Sequence, residues 1–168
     1  MINISKIDNM VIDADTIEKD VLDYWTIRTP SFSKIRENEI MGDIGKGWRF
    51  ALRSTLPINR YKKILDVGTG TGFFSILLSR DGYRMTGIDL TPAMIEESKR
   101  EAEKFGSKAR FMVMDAQELD FEDASFDAVI TRNLTWTLPD VERAYKEWFR
   151  VIRPGGRLIN YDANYAKA

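Results

Sequence analysis

Three alternate glycines, Gly68, Gly70 and Gly72, lie between a short apolar stretch at residues 64–67 and a second apolar stretch that starts at residue 73. The first stretch is typical of a buried parallel strand and the second of a helix. Glycine allows the chain to turn sharply between them and lets a ligand approach the backbone, because a Cβ would block both. The loop therefore predicts a cofactor pocket at a strand-to-helix junction.

The residues around the glycines narrow the choice of cofactor. A dinucleotide fingerprint, G-x-G-x-x-G counted from Gly68, needs its last glycine where this chain has Phe73. Asp66 precedes the loop and offers a charge-assisted acceptor to a cationic group, whereas a pyrophosphate would gain nothing from an acid there. A nicotinamide-dependent dehydrogenase, which would share the glycine turn, stays open as the less favoured alternative.

Polar residues follow each of the next three predicted strands. Asp89 ends the second strand about twenty residues after the loop, where a carboxylate can hold a ribose diol by two hydrogen bonds. Asp115 follows the third predicted strand, residues 109–114, and Arg132 follows the fourth. Because ligands of open α/β sheets bind beyond the carboxyl ends of the strands, these side chains are predicted to surround one cavity.

The spacing Asp66-x-Gly68-x-Gly70-x-Gly72 resembles motif I of the class I S-adenosylmethionine-dependent methyltransferases. The resemblance continues through most of the domain to a Glu-x-x-Arg-x-x-x-Pro-Gly-Gly stretch at residues 147–156. It implies that the cofactor is S-adenosylmethionine, whose ammonium and sulfonium suit an acid placed before the loop.

In that family an Asp after the third strand accepts a hydrogen bond from the adenine amino group, and the next amide meets the ring. The resemblance implies these roles for Asp115 and Ala116. Residues 132–136 follow the fourth predicted strand beside the place where the strand order reverses, so they are predicted to line the cavity where cofactor and acceptor meet. Many relatives carry a His-Trp pair there, but this chain has Thr135 before Trp136. The predicted cofactor-binding residues are Trp25, Asp66, Gly68, Thr69, Gly70, Gly72, Asp89, Leu90, Asp115, Ala116, Arg132 and Asn133.

The chain before the first strand is predicted to be helical. Asp15 and Glu18 have the spacing of a capping box, and the helix is expected to end near Pro30. A second helix is expected after a glycine-rich break at residues 42–47. The order Tyr-Trp followed by Arg resembles the N-terminal cover of many small-molecule methyltransferases. Its tryptophan, Trp25, either belongs to the helix core or lies against the sulfonium in a cation–π contact.

Strands and helices alternate from residue 58 onward, which predicts an α/β fold with a Rossmann-like, doubly wound, mostly parallel sheet. The resemblance implies the strand order 3-2-1-4-5. Residues 1–57 are predicted to form an N-terminal helical cover and residues 58–168 the S-adenosylmethionine-binding domain, within one folding unit.

Composition excludes several classes of function. A formal net charge of -1 over 168 residues produces no overall positive potential that would attract nucleic acid or anionic membranes. The chain has no cysteine and no histidine, which excludes disulfides and thiol nucleophiles and predicts no metal site. Any proton transfer is left to Asp, Glu, Tyr, Lys or water. No apolar run has the length of a membrane span and the start lacks a signal peptide, so a cytoplasmic protein without a membrane partner is expected.

The predicted function is direct methyl transfer from S-adenosylmethionine to a small-molecule acceptor. No catalytic residue is assigned; if the acceptor needs deprotonation, Tyr24, Tyr161 or an acid in the cavity could accept the proton. A non-catalytic cofactor-binding or accessory domain is the alternative. The chain stops soon after the predicted fifth strand, which predicts either a homodimer through that exposed strand edge or a fragment of a longer product.

Overall fold

A computed structural model describes residues 13–163; residues 1–12 of the predicted helical cover and residues 164–168 of the predicted cofactor-binding domain lie outside this range. Five parallel strands follow two N-terminal helices, and a helix separates successive strands except the third and fourth, which a loop connects. In chain order the elements are α1 (Ala14–Met41), α2 (Asp43–Thr55), β1 (Lys63–Val67), α3 (Phe73–Ser79), β2 (Arg84–Asp89), α4 (Pro92–Lys104), β3 (Arg110–Val113), β4 (Phe126–Arg132), a 3₁₀ turn (Thr135–Thr137), α5 (Val141–Val151) and β5 (Ile152–Tyr161).

The sheet has the order β3-β2-β1-β4-β5, and every neighbouring pair is parallel, which confirms the predicted fold class. β1 lies at the centre, where Ile64 is in register with Met85 on one side and Ala128 on the other. β1 and β4 are almost entirely buried because helices cover both faces of the sheet. β3 and β5 form the two edges.

Two apolar layers, one on each face of the sheet, hold the helices in place. One contains α2 and α3, with Leu52, Phe74 and Leu77 buried; the other contains α5, with Trp148 fully buried. The indole nitrogen of Trp148 donates to the carbonyl oxygen of Ala116 at 2.9 Å. The α5 layer thereby fixes the loop that follows β3.

The structure corrects the predicted bounds of α1. Its N-cap is Asp13, whose Oδ1 accepts from the amide of Thr16 at 2.7 Å, so Asp15 and Glu18 do not form the expected capping box. The helix also continues through Pro30 to Met41. Packing outweighs the local cost of the proline, because the flanking Thr29 and Ser33 are buried against the rest of the protein.

The structure breaks the helical region once, at Gly42, and places Gly45 and Gly47 inside α2. A Cβ at Gly45 would lie 2.7 Å from the carbonyl oxygen of Ile40, so glycine allows the start of α2 to pack against the end of α1.

β5 begins earlier than the sequence predicts, since the pairing with β4 continues past an irregularity between Phe126 and Ala128. Within residues 13–163, no helix is long and apolar enough to cross a bilayer.

Candidate functional site

One cavity lies between the carboxyl ends of the strands and the inner side of α1. It is lined by residues that follow β1, β2, β3 and β4, as the sheet geometry predicts. The predicted site residues that line it are Trp25, Gly68, Gly70, Asp89, Leu90, Asp115, Ala116, Arg132 and Asn133. Asp66, Thr69 and Gly72, which the sequence also assigned to cofactor binding, are not among the lining residues.

The glycine loop brings bare backbone to the cavity. Gly68 and Gly70 have φ values of +67° and +55°, a region that L side chains rarely occupy. A Cβ at Gly68 would lie 2.8 Å from Cδ1 of Leu134, and one at Gly70 would lie 3.2 Å from Cε1 of Phe32. Glycine is therefore required here both for the turn and for the space beside it.

Asp66 stabilises this loop through hydrogen bonds to its carboxylate. Its Oδ2 accepts from the hydroxyl of Thr69 at 2.7 Å, from the amide of Ser75 at 3.1 Å and from the hydroxyl of Ser75 at 2.8 Å. The residue is 2% exposed, and burial raises the pKa of its carboxyl to about 6. In this geometry Asp66 connects the loop to the first turn of α3 and does not present its carboxylate to a cationic group in the cavity.

Asp89 presents an oriented carboxylate at the end of β2. Its Oδ2 accepts from the amide of Gly70 and its Oδ1 from the amide of Thr91, both at 2.9 Å. Burial raises the pKa of Asp89, while the two backbone amides oppose that shift. Each oxygen keeps a further lone pair, so the group can accept from both hydroxyls of a ribose diol.

The loop after β3 is held by Gln117, a residue that the sequence analysis did not single out. The Asp115 carboxylate accepts from the amide of Gln117 at 2.8 Å, and the Gln117 side-chain nitrogen donates to Oε1 of Glu18 at 3.0 Å. The Gln117 side-chain oxygen accepts from the amide of Asp140 at 2.7 Å. One buried amide thus joins the predicted adenine loop to α1 and to the start of α5.

Trp25 on α1 packs against other aromatic rings and also borders the cavity, while its contact with the sulfonium stays a prediction. It packs edge-to-face against Tyr24 and Phe32, with ring centroids 5.1 and 5.3 Å apart, and it also lines the cavity. Phe32, in turn, reaches the glycine loop. No local sequence pattern marks Phe32 as a site residue, because its position depends on where α1 crosses the sheet.

Two arginines bring positive charge to the cavity beside α3. Arg36 and Arg132 both line the cavity, and both approach Glu39, with Nη1 of Arg132 3.6 Å from the Glu39 Oε2. The Arg36 guanidinium lies 4.6 Å from the ring centroid of Phe32, and that of Arg132 lies 5.3 Å from that of Phe73. Two guanidiniums and one carboxylate suit a ligand that carries a carboxylate or another anionic oxygen.

An apolar wall follows β4. Leu134, Trp136, Leu138 and Pro139 line the cavity, and the Trp136 indole nitrogen donates to the carbonyl oxygen of Asn133 at 3.0 Å. The sequence predicted that residues 132–136 would line the cavity, and all of them except Thr135 do so.

The two tyrosines suggested as proton acceptors are not part of the cavity lining. Tyr24 is half-exposed, and Tyr161 packs edge-to-face against Trp48 at 4.8 Å. The acids that do line the cavity are Glu18, Asp89 and Asp115.

These features are those of a methyltransferase domain, and the family described by that name matches residues 65–160. The chain belongs to this family, and the resemblance to class I S-adenosylmethionine-dependent methyltransferases is confirmed. The cofactor of the class is S-adenosylmethionine. Its groups fit the lining described above, since the bare glycine backbone, the Asp89 carboxylate and the two arginines offer complementary partners to its adenosine and its amino-acid portion.

Three similar proteins illustrate the relationship. A demethylmenaquinone methyltransferase of Thermus thermophilus is 40% identical over 100 residues, covering 58% of this chain and 46% of the relative. A phosphatidylethanolamine N-methyltransferase of Cereibacter sphaeroides is 33% identical over 138 residues, covering 80% of this chain and 62% of the relative. A crystal structure of a SAM-dependent methyltransferase from Methanosarcina mazei has a TM-score of 0.55 and 36% identity, and the match covers 60% of this chain and 52% of that one. The chain thus spans about half to three-fifths of its relatives' lengths.

Proposed function

We propose that this chain transfers the methyl group of S-adenosylmethionine to an apolar small-molecule acceptor. The observation that carries the proposal is the continuity of one cavity. The glycine loop and Asp89 lie in the same cavity as the apolar residues Leu134, Trp136 and Leu138. A cofactor held by the first group would therefore share a water-poor space with a molecule held by the second.

We assign the following roles to the chain's own residues, and their positions around the cavity support these assignments. The Asp89 carboxylate, fixed by two backbone amides, accepts from the ribose hydroxyls, and Asp115 accepts from the adenine amino group. Arg36 and Arg132 attract the carboxylate of the amino-acid portion. S-adenosylmethionine supplies a methyl group already activated on its sulfonium, so the protein's part is to orient the acceptor and exclude water.

A reduced quinone is the acceptor class that we favour. The name of one relative states an action on demethylmenaquinone, and that of another an action on phosphatidylethanolamine. The wall after β4 offers Trp136 and three aliphatic side chains, which suits a flat ring more than a polar head group. The described part of this wall carries no carboxylate or tyrosine, and a hydroquinone is a suitable acceptor because it ionises more readily than an alcohol.

The experiment measures binding and transfer separately. Calorimetric titration with S-adenosylhomocysteine and with NAD tests the cofactor, and we expect binding of the first only. The protein, extended to the complete gene product if the gene is longer, is then incubated with S-adenosylmethionine labelled in its methyl group and with reduced quinones, catechols or phosphatidylethanolamine vesicles. We expect the label in the reduced quinones.

Each outcome has a defined meaning. Tight NAD binding without a response to S-adenosylhomocysteine would establish the dehydrogenase alternative. Binding of S-adenosylhomocysteine without transfer to any acceptor by the complete gene product would establish a non-catalytic cofactor-binding domain. Label in the phospholipid alone would keep methyl transfer and overturn the quinone assignment.

A further inference from the structure

Glu18 crosses the cavity from α1 to the loop after β3. Its Oε1 lies 3.0 Å from the side-chain nitrogen of Gln117, and the same nitrogen lies 3.2 Å from Oδ1 of Asp115. All three residues line the cavity, and Gln117 is 5% exposed. Two carboxylates from distant parts of the chain therefore converge on one buried amide group.

Each of these two cavity-lining carboxylates keeps an oxygen that makes no good hydrogen bond with the Gln117 side chain. The Gln117 amide has two N–H donors and uses them on one oxygen of each carboxylate. Glu18 Oε2 receives no hydrogen bond from Gln117, and Asp115 Oδ2 lies 3.5 Å from its nitrogen, which is too long for a good bond. Two negative charges this close are stabilised when a further donor reaches both.

A primary amino group on a ring is the ligand chemistry that meets this requirement. Its two N–H bonds diverge in the plane of the ring, and each needs its own acceptor once the ring is buried. The class resemblance gives Asp115 one of these hydrogen bonds and assigns nothing to the other.

We propose that Glu18 accepts the second hydrogen bond of the adenine amino group, so that α1 takes part in recognising the nucleoside. This inference rests on the proposed function in that the cofactor carries adenine. Glu18 and Asp115 together select a 6-amino purine. Binding of the purine adds a contact between α1 and the loop after β3, beyond the contact through Gln117.

A purely structural role of Glu18 makes a different prediction. If Glu18 only holds α1 through Gln117, its loss weakens every nucleoside ligand equally, whatever the purine carries at position 6. The distinguishing quantity is therefore the ratio of two affinities, measured for S-adenosylhomocysteine and for its analogue in which the 6-amino group is replaced by hydrogen.

The test uses calorimetric titration of both ligands against the wild type, Glu18→Gln and the control Asp20→Asn, which removes an exposed acid from the same helix. We expect Glu18→Gln to weaken S-adenosylhomocysteine roughly tenfold and the analogue less than about twofold, because a hydrogen bond to a charged group is lost only with the first ligand. Asp20→Asn is expected to change neither affinity.

A second variant, Gln117→Met, removes the link between α1 and the loop while both carboxylates remain. We expect it to weaken the two ligands by the same factor. Equal losses for both ligands in Glu18→Gln, or no loss for either, would overturn the inference. Failure of the proposed function is seen elsewhere, as absence of S-adenosylhomocysteine binding to the wild type or absence of methyl transfer.

Discussion

The cavity wall formed by the sheet and the wall formed by α1 differ in what holds their residues in place. On the sheet side, Gly68, Asp89 and Asp115 lie at or just beyond the carboxyl ends of β1, β2 and β3, and backbone amides fix the two carboxylates. On the α1 side, the residues before Thr29 whose burial the structure describes are at most partly buried, and Glu18 accepts a side-chain hydrogen bond from Gln117 in the loop after β3. Backbone hydrogen bonds therefore hold the residues of the sheet-side wall, whereas side-chain contacts hold those of the α1-side wall.

This difference separates two tasks. A wall that the backbone fixes is already arranged before the cofactor arrives, so it costs little ordering entropy on binding. A wall that rests on a few side-chain contacts has a smaller free energy of local opening, which is what admission of a ligand to an enclosed cavity requires. We therefore expect substitutions on the sheet side to reduce cofactor affinity most, and substitutions that alter the packing of α1 to have smaller effects.

Asp89→Asn is expected to produce the largest effect. An asparagine would turn its NH₂ group toward the amide of either Gly70 or Thr91, so one donor would lose its acceptor and the ribose would lose the charged partner. We expect binding of S-adenosylhomocysteine to weaken by roughly a hundredfold, or about 3 kcal/mol. Calorimetric titration measures this loss.

The matched control is Asp120→Asn, which neutralises an exposed acid in the loop after β3. It should leave the affinity unchanged. Full affinity in Asp89→Asn would show that the backbone-fixed carboxylate does not hold the ribose, and the distinction between the two walls would lose its main support.

The sheet wall was largely predictable from the sequence because its signals are local. Short apolar runs that end in glycine or aspartate mark each strand, and parallel strands bring those ends to one edge of the sheet. Asp89, Asp115 and Arg132 could thus be placed in one cavity without coordinates. The position of Asp66 was not predictable in this way, because its carboxylate is directed by Thr69 and Ser75, and hydrogen-bond direction is not a property of spacing.

The α1 wall was largely not predictable, because it depends on how a helix crosses the sheet. Glu18 was assigned to a capping box, and Pro30 to the end of the helix, from patterns that are sound in isolated segments. The capping box is replaced by a local N-cap two residues earlier, at Asp13, and Glu18 instead contacts Gln117. At Pro30 tertiary contacts continue the helix, as Ser33 donates to Glu97 on α4 at 2.8 Å just beyond the proline. Phe32 and Arg36 carry no local signal at all.

Gly68→Ala is expected to have the next largest effect, and it separates backbone strain from cavity space. Gly106 is the matched control, since it has φ +64° with no atom near its potential Cβ, whereas Gly68 has φ +67° with Leu134 2.8 Å away. Alanine at either position should cost about 1–2 kcal/mol of folding stability through the left-handed conformation. Only Gly68→Ala should also weaken S-adenosylhomocysteine, by roughly tenfold, since its methyl group enters the cavity.

Denaturant unfolding and calorimetric titration of both variants provide the two readouts. Equal affinities in Gly68→Ala and Gly106→Ala, with similar losses of stability, would mean that the loop needs glycine for its turn alone.

Glu101→Gln tests the packing of α1 against α4 and should have the smallest effect on cofactor affinity. Glu101 is 7% exposed, and burial, together with the nearby Glu37 and Glu97, raises its pKa, while Lys104 opposes the shift. A carboxyl whose pKa is raised in the folded state stabilises the fold below its unfolded pKa, and this contribution is lost as pH rises through the folded pKa. The charge on Glu101 therefore weakens the fold at neutral pH.

We expect Glu101→Gln to raise the free energy of unfolding at pH 7 by less than about 1 kcal/mol, because the nearby Lys104 offsets part of the unfavourable charge. The gain should shrink as pH falls toward the ordinary range of a glutamate. Glu103→Gln, at an exposed neighbour on α4, is the matched control and should leave the free energy of unfolding at pH 7 close to that of the wild type. Cofactor affinity should stay close to that of the wild type in both variants. A large loss of affinity in Glu101→Gln would mean that the packing of α1 affects the cavity as strongly as the sheet wall does.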